Sequence, residues 1–327
     1  MKPKTEQLLA TLEVILNQGF SFMPPYHEDG GYFKPYVWDG EQNGMFSPLS
    51  SIESEGWIQE TDVELAIENW QWSEQTGLAA QGILRDGEPF CIEDGEDEAG
   101  ILLDEATKLA RAKTYQNLFE LLSSQANNLQ AFVLSCDFNY SLSVVVGQIS
   151  EKKWIALCPT VPQETPSYFD DEIVCSNYVR ENKITQLVNN SNLEIEIQKH
   201  INKLSNIKIY GWYDGGYNHT HNYEIAFTTG ESKKQALDNL LLKSKLLEIY
   251  QFNNFDISEQ LECYHDDEAQ QIESQSNQIN QFFEQTFSKT LLYRFCFWDY
   301  EHLYIVGDVD NCDRVGITLH SQFTFNP

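Results

Sequence analysis

Residues 131–149 read AFVLSCDFNYSLSVVVGQI, and residues 291–309 read LLYRFCFWDYEHLYIVGDV. Aligned without a gap (291 − 131 = 160), they place Cys136 with Cys296, Tyr140 with Tyr300, Val146 with Val306 and Gly147 with Gly307. Each stretch holds two runs of β-branched and aromatic residues around a short polar turn, such as Asp137-Phe-Asn-Tyr140. A third apolar run follows in each case, Trp154-Ile-Ala-Leu157 matching Arg314-Val-Gly-Ile317. The short spacing predicts three-strand antiparallel meanders, near 131–137, 142–149 and 153–159, and again near 291–298, 302–309 and 314–320. Val144-Val-Val146 and Tyr304-Ile-Val306 are expected to be central buried strands.

Working upstream, helical patterns precede both meanders, at about 97–126 and 265–289. Asp104-Glu105-Ala106 matches Asp267-Glu268-Ala269 at a spacing of 163 (267 − 104), and Asp29-Gly-Gly-Tyr32 recurs as Asp214-Gly-Gly-Tyr217. Three matches in the same order along both halves point to an internal duplication. Leu8, Leu9, Leu12, Ile15 and Leu16 form a helical stripe, and Tyr32 to Trp38 an aromatic strand. In the second half the expected elements are helices near 192–203 and 231–251 and strands at 206–213 and 222–228. The fold class is therefore α+β. Two tandem, related α/β sandwich domains are expected at 1–165 and 191–327, joined by a linker at 166–190, each an antiparallel sheet packed by helices.

The 327 residues suit two domains. Asp and Glu number 50 against 21 Lys and Arg, a net charge of −29. Such a surface disfavours an independent grip on nucleic acid or an anionic membrane and favours a basic protein partner. The beginning of the sequence has no unbroken apolar stretch of the signal-peptide kind, and no apolar run approaches 18 residues. Seven cysteines, none within four residues of another, read as reduced core residues of a cytoplasmic protein.

The sequence contains no GxxxxGK[ST], GxGxxG, GxSxG or HExxH motif, so phosphate-cradling, nucleophile-elbow and zincin chemistries lack their usual signals. No cofactor is expected. His219 and His221 would share one face of a strand, which permits a metal or proton relay; the plainer reading is a polar hairpin. The acids from Asp94 to Glu105 occupy positions 1, 3, 5 and 12 of a calcium-loop spacing, but Ala99 stands where that loop needs glycine. A solvated helix start explains the same run. Among the tryptophans, Trp38, Trp57, Trp70, Trp72 and Trp212 are candidates for an interface anchor, with the core as the ordinary alternative.

Phe22-Met-Pro-Pro-Tyr26 to Val37-Trp-Asp-Gly40 resembles the first strand region of the nuclease A inhibitor-like family. Tyr264-His-Asp-Asp-Glu268, the long helix after it, and Tyr293 through Tyr304-Ile-Val-Gly307 to Gly316-Ile-Thr318 resemble that family's C-terminal half. The resemblance implies an α/β sandwich that plugs the active site of a sugar-nonspecific nuclease. It also implies an acid directly after the Phe-Met pair; here Pro24-Pro25 follow Phe22-Met23, and the nearest acids are Glu28 and Asp29.

The expected function is an acidic, non-enzymatic protein-binding protein, in the inhibitor reading one that occupies the basic cleft of a nuclease. The expected contacts are Glu28, Asp29, Asp266, Asp267 and Glu268. The alternatives are a structural or regulatory interaction module without inhibition, and a metal-dependent enzyme using His219 and His221.

Overall fold

The computed structural model describes residues 1–17, 20–22, 31–80, 84–85, 88–89, 104–136, 140–161, 179–180, 192–204, 207–212, 218–255, 261, 265–297, 300–310 and 312–322. The first half runs α1 (Pro3–Leu16), β1 (Phe20–Phe22), β2 (Gly31–Trp38), α2 (Gly40–Asn43), α3 (Pro48–Glu55), β3 (Ile58–Thr61), α4 (Val63–Ala80), β4 (Leu84–Arg85) and β5 (Glu88–Pro89). It continues with α5 (Glu105–Gln125), β6 (Asn127–Leu134), β7 (Leu142–Ser150), β8 (Lys153–Pro159) and β9 (Val179–Arg180). The second half runs α6 (Asn192–Leu204), β10 (Ile207–Trp212), β11 (Asn218–Tyr223), β12 (Ile225–Gly230), α7 (Lys233–Lys243), β13 (Leu247–Phe252), α8 (Asp266–Thr286), β14 (Thr290–Phe297), β15 (Tyr300–Asp308) and β16 (Arg314–Gln322). The class is α+β.

The chain forms two compact units, and neither is a continuous half. Unit 1 comprises residues 1–54, 165–183 and 247–327; unit 2 comprises 55–164 and 184–246. This differs from the expected division at 166–190, because β2 and β12 pair outside their own halves. β2 lies on β16, and β12 lies on β8.

Unit 1 has the sheet order β1-β2-β16-β15-β14-β13-β9. α1 and α8 pack on one face, where Phe252 meets Phe283 edge-on and Phe33 meets Phe255. On the other face Phe46, just before α3, stacks edge-on against both Trp38 and Tyr293. Deep in the sheet, Arg294 is clamped between Glu248 (2.8 Å) and Glu301, and Tyr250 donates to Glu248 (2.6 Å). Burial opposes the charge on Arg294, but the two carboxylates hold its pKa well above the ordinary arginine value.

Unit 2 has the order β12-β8-β7-β6-β3. Its core joins Ala66, Ile67 and Trp70 of α4, Tyr115, Leu118 and Leu122 of α5, and Ile197 of α6 to Val145, Ile155 and Leu157 of the sheet. α7 packs against β12 and β8, with Thr228 Oγ1 donating to the Ala236 carbonyl at 2.9 Å.

Val144–Val146 and Tyr304–Val306 are buried in strands flanked on both sides, as expected from their β-branched and aromatic composition. The helix expected over 231–251 is instead α7 followed by a strand. Ser244 caps α7, Lys245 takes φ +67°, and Leu247-Glu-Ile-Tyr-Gln-Phe252 alternates its burial as a strand does. Among the described cysteines, Cys158 and Cys296 are buried, and Cys136 and Cys312 are half-buried.

Candidate partner-binding surface

Helix α4 starts on Asp62, whose carboxylate accepts the Glu64 and Leu65 backbone N–H groups at 2.8 and 3.2 Å. Its inner face carries Ala66, Ile67, Trp70 and Glu74, at the three- and four-residue spacing that keeps one stripe inward. That face is pinned by hydrogen bonds. The Trp70 indole donates to the Ser143 carbonyl (2.7 Å), and the Tyr223 hydroxyl donates to the Trp70 carbonyl (2.6 Å). At its inner end Glu74 accepts from Arg111 Nε (2.7 Å), Arg111 Nη2 (2.9 Å) and the Tyr115 hydroxyl (2.6 Å). Burial and the neighbouring Glu74 push the Tyr115 phenol well above its usual pKa.

With the inner stripe fixed, the outer one follows. Leu65 and Trp72, seven residues apart, share the outer face and are 47% and 66% exposed. Glu64 and Glu68 are exposed beside them. Residues 60–80 contain five acids and no Lys or Arg. An exposed tryptophan on a helix face that also carries exposed carboxylates combines a large apolar contact area with a field that attracts cations.

Other candidates are placed as follows. Trp38, Trp57 and Trp70 are buried, and the Trp212 side chain is outside the described residues, so the interface reading rests on Trp72. Glu28 and Asp29 lie outside the described residues, as do Asp170–Glu172 and residues 94–103. Asp104, at the end of that last acidic run, caps α5 by accepting the Thr107 N–H at 2.6 Å, which lowers its carboxyl pKa. Asp266, Asp267 and Glu268 form the first turn of α8; Asp267 is exposed, and the side chains of the other two are outside the described residues. His219 and His221 lie on β11, opposite Gly211 and Ile209, with side chains outside the described residues. Among the described residues no group of three or more His, Cys, Asp or Glu is placed to hold a metal, and no helix is long and apolar enough to cross a membrane.

Unit 2 also has a cleft of about 330 Å³ lined by Arg111, Tyr115, Asn202, Glu224 and Lys243 among others. Its two cations are already engaged. Arg111 holds Glu74, and Lys243 donates to the Phe227 carbonyl at 3.0 Å.

The acids thus fall into two populations. Glu74, Glu194, Glu248, Glu301 and Asp313 are buried and bonded within the fold. Glu64, Glu68 and Asp267 are exposed. Sequence reasoning missed α4 as an element, although Asp62 before Val63 and the spacing of Ala66, Ile67 and Trp70 carry the signal. No family model, curated protein or solved structure matches this chain.

Proposed function

We propose that this is a non-enzymatic binding protein that seats a basic protein partner on the outer face of α4. The observation that carries the reading is Trp72, exposed on a helix whose acids have no basic neighbour in residues 60–80, in a chain of net charge −29. Trp72 and Leu65 supply the apolar anchor, while Glu64 and Glu68 steer a cationic surface toward it. The resemblance to nuclease A inhibitors supplies the chemistry of one partner class: a sugar-nonspecific nuclease whose cleft is basic because it binds phosphates. Carboxylates entering such a cleft compete with the nucleic-acid backbone for its Arg and Lys.

The test is nuclease activity measured against increasing purified protein over a salt series. Stoichiometric loss of activity that weakens with salt supports inhibition. Full activity at micromolar protein for every sugar-nonspecific nuclease tried removes the inhibitor reading and leaves the interaction module.

A further inference from the structure

The two units share a five-strand order. In unit 2 it is β12-β8-β7-β6-β3, and in unit 1 β2-β16-β15-β14-β13. The correspondence extends to single residue pairs. Trp154 pairs with Gly230, the last residue of β12; Arg314, 160 positions after Trp154 (314 − 154), pairs with Trp38, the last residue of β2. Cys158 pairs with Ala226, and Thr318 (318 − 158 = 160) pairs with Lys34. Gly147 faces Ile155 and Gly307 faces Val315. At the other edge Leu134 pairs with Ile58, and Arg294 (294 − 134 = 160) pairs with Glu248. The adjoining pair is the exception: Ala131 faces Val145 while Leu291 faces Val306, one residue out of step.

The long helices agree as well. α5 and α8 both span 21 residues, with N-caps Asp104 and His265 and C-caps Ala126 and Phe287, a spacing of 161 rather than the 163 of the Asp-Glu-Ala match. Under each C-cap lies the equivalent glycine. A Cβ on Gly147 would approach Ala126 to 3.0 Å, and one on Gly307 would approach Phe287 to 2.1 Å. Burial along the helices also repeats: Thr114, Tyr115, Leu118 and Leu122 are matched by Gln275, Ser276, Ile279 and Phe283.

What differs is which half supplies the outer strand. In each unit the α–β–α segment preceding the β3- or β13-type strand comes from the other half. Residues 1–54 complete the sheet of 247–327, and residues 184–246 complete that of 55–164. The chain crosses at equivalent points. After α3, Gly56 takes φ +74° and buried Trp57 follows; after α7, Lys245 takes φ +67° and buried Leu246 follows. A left-handed cap leading straight into a strand leaves no slack for the segment to fold back, the circumstance in which segments are traded between copies of a fold.

We propose that the chain is an internal duplication whose halves have exchanged their N-terminal α–β–α segments within one molecule, with hinges at Gly56 and Lys245. Both exchanged segments are well anchored. Leu12, Leu16, Phe33 and Trp38 enter the core of unit 1, and Asp313 accepts from Thr5 Oγ1 (2.6 Å) and the Gly40 N–H (2.9 Å). In unit 2, Leu193, Ile197 and Ile225 enter the core, and Lys153 holds Glu194 at 2.6 Å. Each unit therefore contains both halves, and the halves are fastened twice.

Because Lys34 and Ala226 are equivalent positions, the exchange dictates which cysteines meet. The test uses the full chain with Lys34→Cys and Thr318→Cys and a protease site inserted between residues 185 and 190. The protein is oxidised, cleaved and mapped by mass spectrometry under non-reducing conditions. Exchange within one molecule predicts a disulfide between positions 34 and 318 that joins the two fragments at the mass of one chain. A link from position 34 to native Cys158, confined to the N-terminal fragment, overturns the exchange. Links joining two chains overturn the intramolecular form. A companion variant, Ala226→Cys without the other substitutions but with the same protease site, is expected to link to Cys158 across the same cleavage. Failure of both links with a native circular-dichroism spectrum also overturns the proposal.

Discussion

The two units solve the same backbone problem with different polar interiors. In unit 1, α8 lies over the sheet with Ile272 and Ser276 where α5 of unit 2 has Arg111 and Tyr115. Unit 2 has an extra helix, α4, between its edge strand and its long helix, and α4 brings Glu74 to meet Arg111 and Tyr115. Unit 1 has no α-helix in that place among the described residues, and its buried ion cluster, Arg294 with Glu248 and Glu301, sits in the sheet instead. Strand order and most of the register are common to both units, while buried charges and added helices belong to one. Backbone pairing and apolar volume therefore define the fold, and the added element is where the two units differ. α4 is such an element, and it carries the exposed tryptophan.

The units should part most at Arg294. Arg294→Met leaves Glu248 and Glu301 buried without their cation, a loss of about 3–5 kcal/mol by analogy with other broken buried pairs. Denaturant unfolding followed by probes in both units should show the loss in unit 1 first. Next come the paired glycines. A Cβ at Gly307 collides with the ring of Phe287, whereas at Gly147 the nearest atom is the movable end of Leu129 at 2.9 Å. Gly307→Ala should therefore cost about 1–3 kcal/mol and Gly147→Ala distinctly less, read from the two midpoints. Equal costs would mean that the two sites are packed alike. At the hinges, Lys245→Gly removes a left-handed non-glycine residue and is expected to stabilise by up to about 1 kcal/mol; Gly56→Ala does the reverse.

Acid and base should also act on the units differently. The Asp310 carboxyl is held below the usual range by the Asp313 N–H, Lys2 and the Cys312 N–H. Lys2 is held above its usual value, chiefly by Asp310. The Asp310 contribution to unit 1 is complete above the ordinary aspartate pKa of about 4 and fades as pH falls through its lowered value. The Lys2 contribution is complete below the ordinary lysine value and fades only as pH rises through its raised one. Asp310→Asn should flatten the acid limb of unit 1 unfolding and leave the acid limb of unit 2 unchanged, measured as unfolding midpoint against pH.

Much of this architecture is legible in the sequence, but unevenly. The meanders declare themselves because Val144–Val146 and Tyr304–Val306 are β-branched or aromatic and bounded by turns. The partners of β2 and β12 do not, because strand pairing across a whole half of the chain leaves no local pattern. Lys245 conceals the end of α7, since a lysine in the left-handed region gives none of the warning a glycine gives. Arg294 in Leu291-Leu-Tyr-Arg-Phe-Cys-Phe297 is a readable sign that buried acids have to stand nearby. The candidate surface is only half legible. Net charge points to a basic partner, but five tryptophans are equal candidates until burial removes Trp38, Trp57 and Trp70 and, among the described side chains, leaves Trp72 exposed.

Whether α4 is the partner-binding face is decided by paired rate measurements against an inhibited nuclease. Association and dissociation rates are compared over a salt series for the wild-type chain, Trp72→Ala and Glu64→Gln/Glu68→Gln. None of these changes touches the core, so stability should stay within about 0.5 kcal/mol of wild type. Loss of Trp72 is expected to speed dissociation with little change in association, while loss of the two carboxylates slows association and reduces its salt dependence. Wild-type rates in both variants, with binding intact, would contradict α4 as the binding face.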